Sequence, residues 1–126
     1  MLENKKILIT GIANKFSIAT GIARSMSKNG AELAFAYQNE RLLKKIKPIA
    51  DDLGVKKLIE CDVACDKSIE QTFLQLADEW GTLDGIVHSI GFAPSDQLDG
   101  DFTEVTTREG FQIAHDISSY SFTALA

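Results

Sequence analysis

Short apolar runs alternate along this chain with segments whose apolar residues recur every three or four positions. Ile7-Leu8-Ile9 is an unbroken run of the length of a buried strand, and Ile18, Ile22 and Met26 then fall on one face of a helix that closes at Asn29-Gly30. Ala31 to Ala36 supplies a second strand. A polar helix follows from about Asn39 to Leu53, weakened in its middle by Pro48 and ended by Gly54. Lys57 to Asp62 reads as a third strand. Asp66 and Ser68 suit the cap of a helix carrying Ile69, Phe73, Leu76, Ala77 and Trp80, and Leu83 to Ile90 forms a fourth strand. Strands separated by helices pair in parallel through right-handed crossovers, which predicts an α/β fold with strand order 3-2-1-4.

In a sheet wound this way a ligand lies at the carboxyl ends of the strands, near the point where the order reverses between strands one and four. The end of the first strand passes through Gly11 and Ser17 into a helix, where free backbone amides and the helix dipole stabilise a pyrophosphate. The G-x-G-x-x-G spacing is absent, since Gly11 is followed by Ser17 and Gly21. Gly11 lets the backbone turn sharply, and Ser17 is both a candidate N-cap and a hydroxyl for a phosphate; the same two residues also suit a plain turn and cap. The second strand end, Tyr37-Gln38-Asn39, has an amide where such folds often hold an acid for the adenosine ribose. With Arg41 the only nearby cation, NADH is favoured over NADPH. The third end, Cys61-Asp62-Val63, places a carboxylate at the edge of an adenine-sized slot, although an aspartate there also reads as a turn residue. The fourth, His88 to Pro94, offers small residues and exposed amides, with Gly91 allowing close backbone approach. The whole reads as the N-terminal half of a Rossmann-like doubly wound sheet.

Composition narrows the partners. The 126 residues are 44% hydrophobic and 25% charged, enough for one globular core. A net charge of -5 argues against a nucleic-acid partner, and Lys44, Lys45 and Lys47 read as a solvated helix face. Neither a membrane span nor a signal peptide is visible, so the chain reads as cytoplasmic. Cys61 and Cys65 are expected to be reduced packing residues, and His88 and His115 lack the spacing of a zinc site. No metal is expected.

Thr10 to Ala19, Cys61-Asp62-Val63, His88-Ser89-Ile90-Gly91-Phe92-Ala93 and Ile113 to Ser121, taken together and in this order, resemble the NADH-dependent bacterial enoyl-acyl-carrier-protein reductases, a divergent branch of the short-chain dehydrogenase/reductases. The resemblance covers essentially all 126 residues. It implies cofactor binding by Gly11, Ser17, Ile18, Gln38, Asp62, Val63 and Ile90, with Ala93 bordering the substrate thioester. The implied reaction is reduction of a trans-2-enoyl thioester on acyl carrier protein, in type II fatty-acid synthesis, by a homotetramer using NADH. Hydride moves to the β-carbon, and in the family a tyrosine stabilises the resulting oxyanion while a lysine holds the nicotinamide ribose.

Neither of those two residues matches a position in this chain. Tyr37 and Lys44 satisfy the spacing Tyr-x6-Lys by coincidence, at the adenosine end of the expected site, and Tyr120 is expected to pack. Thr106 and Glu109 form a capping-box pattern opening a helix in which Phe111, Ala114, Ser118 and Phe122 share a face. That helix meets no stop signal before Ala126, so residues 1–126 are expected to be the N-terminal part of one dinucleotide-binding domain, truncated and inactive alone. A non-catalytic NADH-binding or assembly fragment, or a carbonyl-reducing short-chain dehydrogenase, is the alternative. The latter is disfavoured because typical members carry Asn-Asn-Ala-Gly where this chain has Ser89 to Ala93.

Overall fold

A computed structural model describes all residues from Met1 to Ala126, in two compact units, Met1–Ser89 and Ile90–Ala126. The first unit is a four-stranded parallel sheet of β1 (Lys6–Ile9), β2 (Glu32–Tyr37), β3 (Lys57–Glu60) and β4 (Gly85–Val87) in the order β3-β2-β1-β4. Between them run α1 (Ile18–Lys28), α2 (Glu40–Leu53) and α3 (Asp66–Trp80). This is the expected 3-2-1-4 arrangement, with the reversal between β1 and β4.

Side chains along each strand alternate between the two faces of the sheet. Ile7, Ile9, Leu33 and Phe35 therefore point to one face, where they pack with Ala19 and Ala23 of α1 and Ile46, Ile49 and Ala50 of α2. The intervening Leu8 and Ala34 point to the other face and are also fully buried. A strand with apolar residues at every position is what a sheet covered on both sides requires. On α3 the buried positions are Ile69, Thr72, Leu76 and Trp80. Thr72 replaces Phe73 and Ala77 in the expected stripe, because its hydroxyl donates to the carbonyls of Ser68 and Glu60 at 2.9 and 3.3 Å and so needs no water.

Glycine closes α1 and α2 as the sequence signals, but Asp66 and Ser68 do not cap α3, whose N-cap is Cys65 with no side-chain bond, the Ser68 hydroxyl being turned to the Asp62 amide. Asn39 caps α2 by accepting from the Leu42 amide at 3.1 Å. At the far end Gly54 is left-handed (φ 68°) while the Val55 amide reaches back to the Ala50 carbonyl. Gly30 closes α1 in the same way, with the Ala31 amide on the Met26 carbonyl. The helix continues through Pro48. Two strands are shorter than expected, β3 ending at Glu60 and β4 comprising three half-buried residues at the sheet edge. Where the ladder stops, the chain begins to supply loop backbone to the site.

The second unit contains a 3-10 turn (Ser95–Gln97), the single turn α4 (Phe102–Val105), α5 (Arg108–His115), a π-helical turn (Asp116–Tyr120) and α6 (Ser121–Leu125). Its cap is Thr107, one residue after the position expected. The Thr107 hydroxyl accepts from the Gly110 amide at 3.0 Å, and the Gln97 side chain in turn accepts from the Thr107 amide at 2.7 Å. Thr106 and Glu109 do not form the box. The π turn inserts a residue into the helical repeat, which breaks the single apolar face of the straight-helix reading; Phe111 before it and Phe122 after it are both exposed. No helix is long and apolar enough to cross a membrane.

Candidate functional site

The strongest local constraint in the first unit lies at the end of β1. Thr10 is buried, and its amide and hydroxyl both donate to the Val87 carbonyl of β4, at 2.9 and 2.8 Å. This draws the two strand ends together at the point where the sheet order reverses. Gly11 follows with φ 84°, and a Cβ on it would stand 1.9 Å from the Ser89 carbonyl oxygen. Only glycine fits, for two independent reasons. Close approach is thus a property of Gly11. At Gly91 nothing of the chain lies within 4 Å of where a Cβ would stand.

From Gly11 the chain forms a loop organised around Asn14 and Ser17. The Asn14 side chain accepts from the Phe16 amide at 2.8 Å, and its carbonyl accepts from the buried Thr20 hydroxyl at 2.7 Å and the Ser17 amide at 3.2 Å. Ser17 occupies the N-cap position of α1 but does not cap through its side chain. Its hydroxyl turns to the loop and accepts from the Ala13 and Asn14 amides at 3.0 and 3.1 Å. A serine hydroxyl has two acceptor lone pairs and one proton. With both lone pairs engaged, the group Ser17 offers to a ligand is a donor, which suits a phosphate oxygen. The amides of Ile18 and Ala19, in the first turn of α1, meet no carbonyl of the loop.

Ile18 does not join the core face anticipated for it. It is 77% exposed and Phe16 is 84% exposed, so two large apolar side chains flank the loop in solvent, while Ala19, Thr20 and Ala23 form the buried stripe. Lys15 lies over the Phe16 ring at 5.0 Å. Sequence reasoning missed Thr10, Asn14, Phe16 and Thr20. The available signal was the hydroxyl and amide content of a loop between a buried strand and a helix.

The ends of β2 and β3 are joined where the Cys61 amide donates to the Tyr37 carbonyl at 2.8 Å. Gln38 and Asp62, the next residue along each chain, therefore leave neighbouring strand ends. Gln38 is exposed and Asp62 half-buried, whereas Val63 is buried. The Asp62 carboxylate accepts from the Ala64 amide at 3.0 Å, and its own amide donates to the Ser68 hydroxyl at 2.8 Å. The turn reading of Asp62 and the ligand reading are thus compatible, because one carboxylate oxygen holds the turn. Burial pushes the Tyr37 hydroxyl above its ordinary pKa, with Glu60 and Glu40 adding to the shift. Burial also raises the Cys61 thiol, which keeps it protonated as a packing residue. Cys65 departs from expectation, being exposed at the N-cap of α3. No group of three or more histidines, cysteines or carboxylates could hold a metal ion.

Ile90 and Ala93 belong to the second unit and are both half-buried. Between them Phe92 is held by Ser118, whose hydroxyl accepts from the Phe92 amide at 2.9 Å and donates to the Phe92 carbonyl at 3.0 Å. Tyr120 was expected to pack. It is instead 52% exposed and lines an open groove of about 710 Å³ with Phe111, Gln112, Ile113, His115 and Asp116. That groove contains none of the residues singled out as cofactor ligands.

Comparison with known proteins agrees with this architecture. Residues 11–126 match the family model described as Enoyl-(Acyl carrier protein) reductase. The chain is 57% identical over 125 residues to the enoyl-acyl-carrier-protein reductase (NADH) FabI of Escherichia coli and 50% identical over 125 residues to that of Haemophilus influenzae. In each case the match covers 99% of this chain and 48% of the relative. The chain thus spans about half the length of the curated relatives it matches. Among solved structures, the enoyl-acyl-carrier-protein reductase (NADH) of Aquifex aeolicus superposes with a TM-score of 0.93 at 48% identity, covering 98% of this chain and 49% of that one. A reductase from Anaplasma phagocytophilum, solved in complex with NAD, gives 0.92 at 40% identity, covering 98% of this chain and 47% of the other.

Proposed function

Because the chain belongs to the enoyl-(acyl carrier protein) reductase family, we propose that it forms the N-terminal, dinucleotide-binding part of an enzyme reducing trans-2-enoyl thioesters on acyl carrier protein with NADH. The observation that carries this reading is the Gly11 to Ala19 loop. There a glycine that tolerates no Cβ, a serine hydroxyl left with only a proton to donate and two open helix amides stand at the carboxyl edge of a parallel sheet. The relatives at 57% and 50% identity are named as NADH reductases, and a neighbour of the same fold was solved with NAD.

In this reading Gly11, Ser17 and Ile18 receive the pyrophosphate, Gln38 the adenosine ribose, and Asp62 with Val63 the adenine. Ile90 lies against the nicotinamide half, and Ala93 borders the thioester. Gln38 brings no charge to its strand end, which suits ribose hydroxyls over a 2′-phosphate. When bound, the dinucleotide supplies the hydride that reduces the β-carbon. This chain's contribution is to hold and orient it, through backbone amides and hydroxyls that need no reorganisation. We assign no catalytic residue within residues 1–126, and the 126 residues alone are expected not to turn over. Cytoplasmic localisation and a homotetrameric state are part of the same proposal. Exposed Phe111 and Tyr120 on the last helical segments support the latter by leaving apolar surface open to solvent.

The test is NADH oxidation by the full-length polypeptide with a trans-2-enoyl thioester as acceptor. Oxidation that depends on the enoyl group is the expected result. Activity with a simple ketone instead would point to a carbonyl reductase, and dinucleotide binding without turnover on either acceptor would leave a binding or assembly module.

A further inference from the structure

We propose that Ser118 is a positioning residue for this reaction, acting through Phe92 to fix the segment that carries Ile90 and Ala93. The inference rests on the reading of that segment as the one facing nicotinamide and thioester. Residues 90–94 belong to no helix or strand, Gly91 and Phe92 are exposed, and nothing lies within 4 Å of where a Cβ on Gly91 would stand. Such a segment samples several conformations unless something pins it. Ser118 does so at both polar groups of one residue, accepting from the Phe92 amide at 2.9 Å and donating to the Phe92 carbonyl at 3.0 Å. A single hydroxyl thereby satisfies the pair of groups that a neighbouring strand would otherwise engage.

Ser118 lies within the π turn. One extra residue in a helical turn rotates every later side chain by about 100° about the axis. The turn is also internally satisfied, which lets it persist. A backbone amide closing it at Ser121 reaches the Asp116 carbonyl, and the buried Ser121 hydroxyl donates to the Ile117 carbonyl at 2.6 Å. Ser119, one residue on, is exposed and makes no comparable contact with the loop.

The experiment compares Ser118→Ala and Ser118→Thr in the full-length polypeptide, reading amide hydrogen exchange at Phe92, steady-state kinetics with an enoyl thioester, and thermal stability. Ser118→Ala is expected to speed exchange at Phe92 and to raise KM for the enoyl thioester or lower kcat, each on the order of tenfold. Amides of β1 and β2 should exchange as before, and Ser118→Thr, which keeps the hydroxyl, should restore both quantities. Should Ser118→Ala fail to fold, Ser118→Cys gives the same comparison with a weak hydrogen-bonding group of similar size. Unchanged kinetics in the alanine variant, or altered kinetics with Phe92 exchange unaffected, would overturn the role given to Ser118. A wild-type enzyme inactive on enoyl thioesters would be a different result, removing the proposed reaction itself.

Discussion

The two ends of the parallel sheet are built from the same four strands and treat their polar groups in opposite ways. At the amino end the charges are matched inside the fold. The Asp84 carboxylate accepts from the Lys5 ammonium and the Lys6 amide, each at 2.9 Å, while the Lys6 ammonium donates to the Trp80 carbonyl at 2.7 Å. The Trp80 indole donates to Glu32 at 2.6 Å, and Lys57 lies 5.6 Å from the Trp80 ring centre between Glu32 and Glu79. In the Gly11 to Ala19 loop at the carboxyl end no side chain forms an ion pair of this kind. Glycine, hydroxyls and open amides take their place. Exposed ion pairs contribute little to stability, about 0 to 1 kcal/mol each, but a surface whose polar groups already have partners has little to offer a ligand. The end that leaves donors open can bind one.

Gly11→Ala should separate the ends most sharply, since the new methyl would meet the Ser89 carbonyl at 1.9 Å with φ at 84°. A loss of roughly 3 kcal/mol or more in urea unfolding is expected, together with loss of dinucleotide binding. Gly54→Ala is the control, because φ is 68° there but nothing lies within 4 Å. It should cost only about 1 kcal/mol and leave binding intact.

Next in size is Trp80→Phe, which removes the indole donor to Glu32 at the amino end. Unfolding free energy should fall by about 1 to 2 kcal/mol, with dinucleotide affinity unchanged by calorimetric titration. An equal loss of affinity would mean that the two ends are coupled. Ser17→Ala should show the reverse pattern, with binding weakened about tenfold and stability lowered by about 1 kcal/mol or less, since the Ala13 and Asn14 amides it releases lie in exposed loop backbone.

The smallest effect concerns acid. Hydrogen bonds from the Lys6 amide and the Lys5 ammonium hold the Asp84 carboxyl below its ordinary pKa. A depressed carboxyl contributes stability that is present above the unfolded value, near 4, and is lost as pH falls through the lower folded value. Asp84→Asn should therefore be less stable than the parent at neutral pH, and the gap should close on acidification below about pH 4. A gap that persisted at pH 2 would show that the asparagine disturbs packing, not charge.

Much of this was legible in the residues. Isoleucine and leucine at consecutive positions of β1 and glycines after helix ends each act through local sterics or a bond spanning a few residues, so their spacing carries the message. The strand order follows because alternating strands and helices admit few connections. The π turn was not legible, since no residue type demands it, and with it went the orientation of Ser118, Tyr120 and Phe122. Nor was the direction of the Ser17 hydroxyl, because a serine at a helix start satisfies the capping rule whether its hydroxyl turns toward the helix or toward the loop.

The sequence by itself determined the four strands, the three helices between them, their parallel pairing and the edge of the sheet at which Gly11 would matter, all consequences of periodicity and short-range sterics. Tertiary structure alone decided that the Ser89 carbonyl would occupy the space a Cβ needs at Gly11, that Thr10 would tie β1 to Val87, and that Ser118 would hold Phe92. Each of these joins residues 26 to 78 positions apart. Contacts at such separations depend on how packed elements come to rest against one another, and no local pattern encodes that.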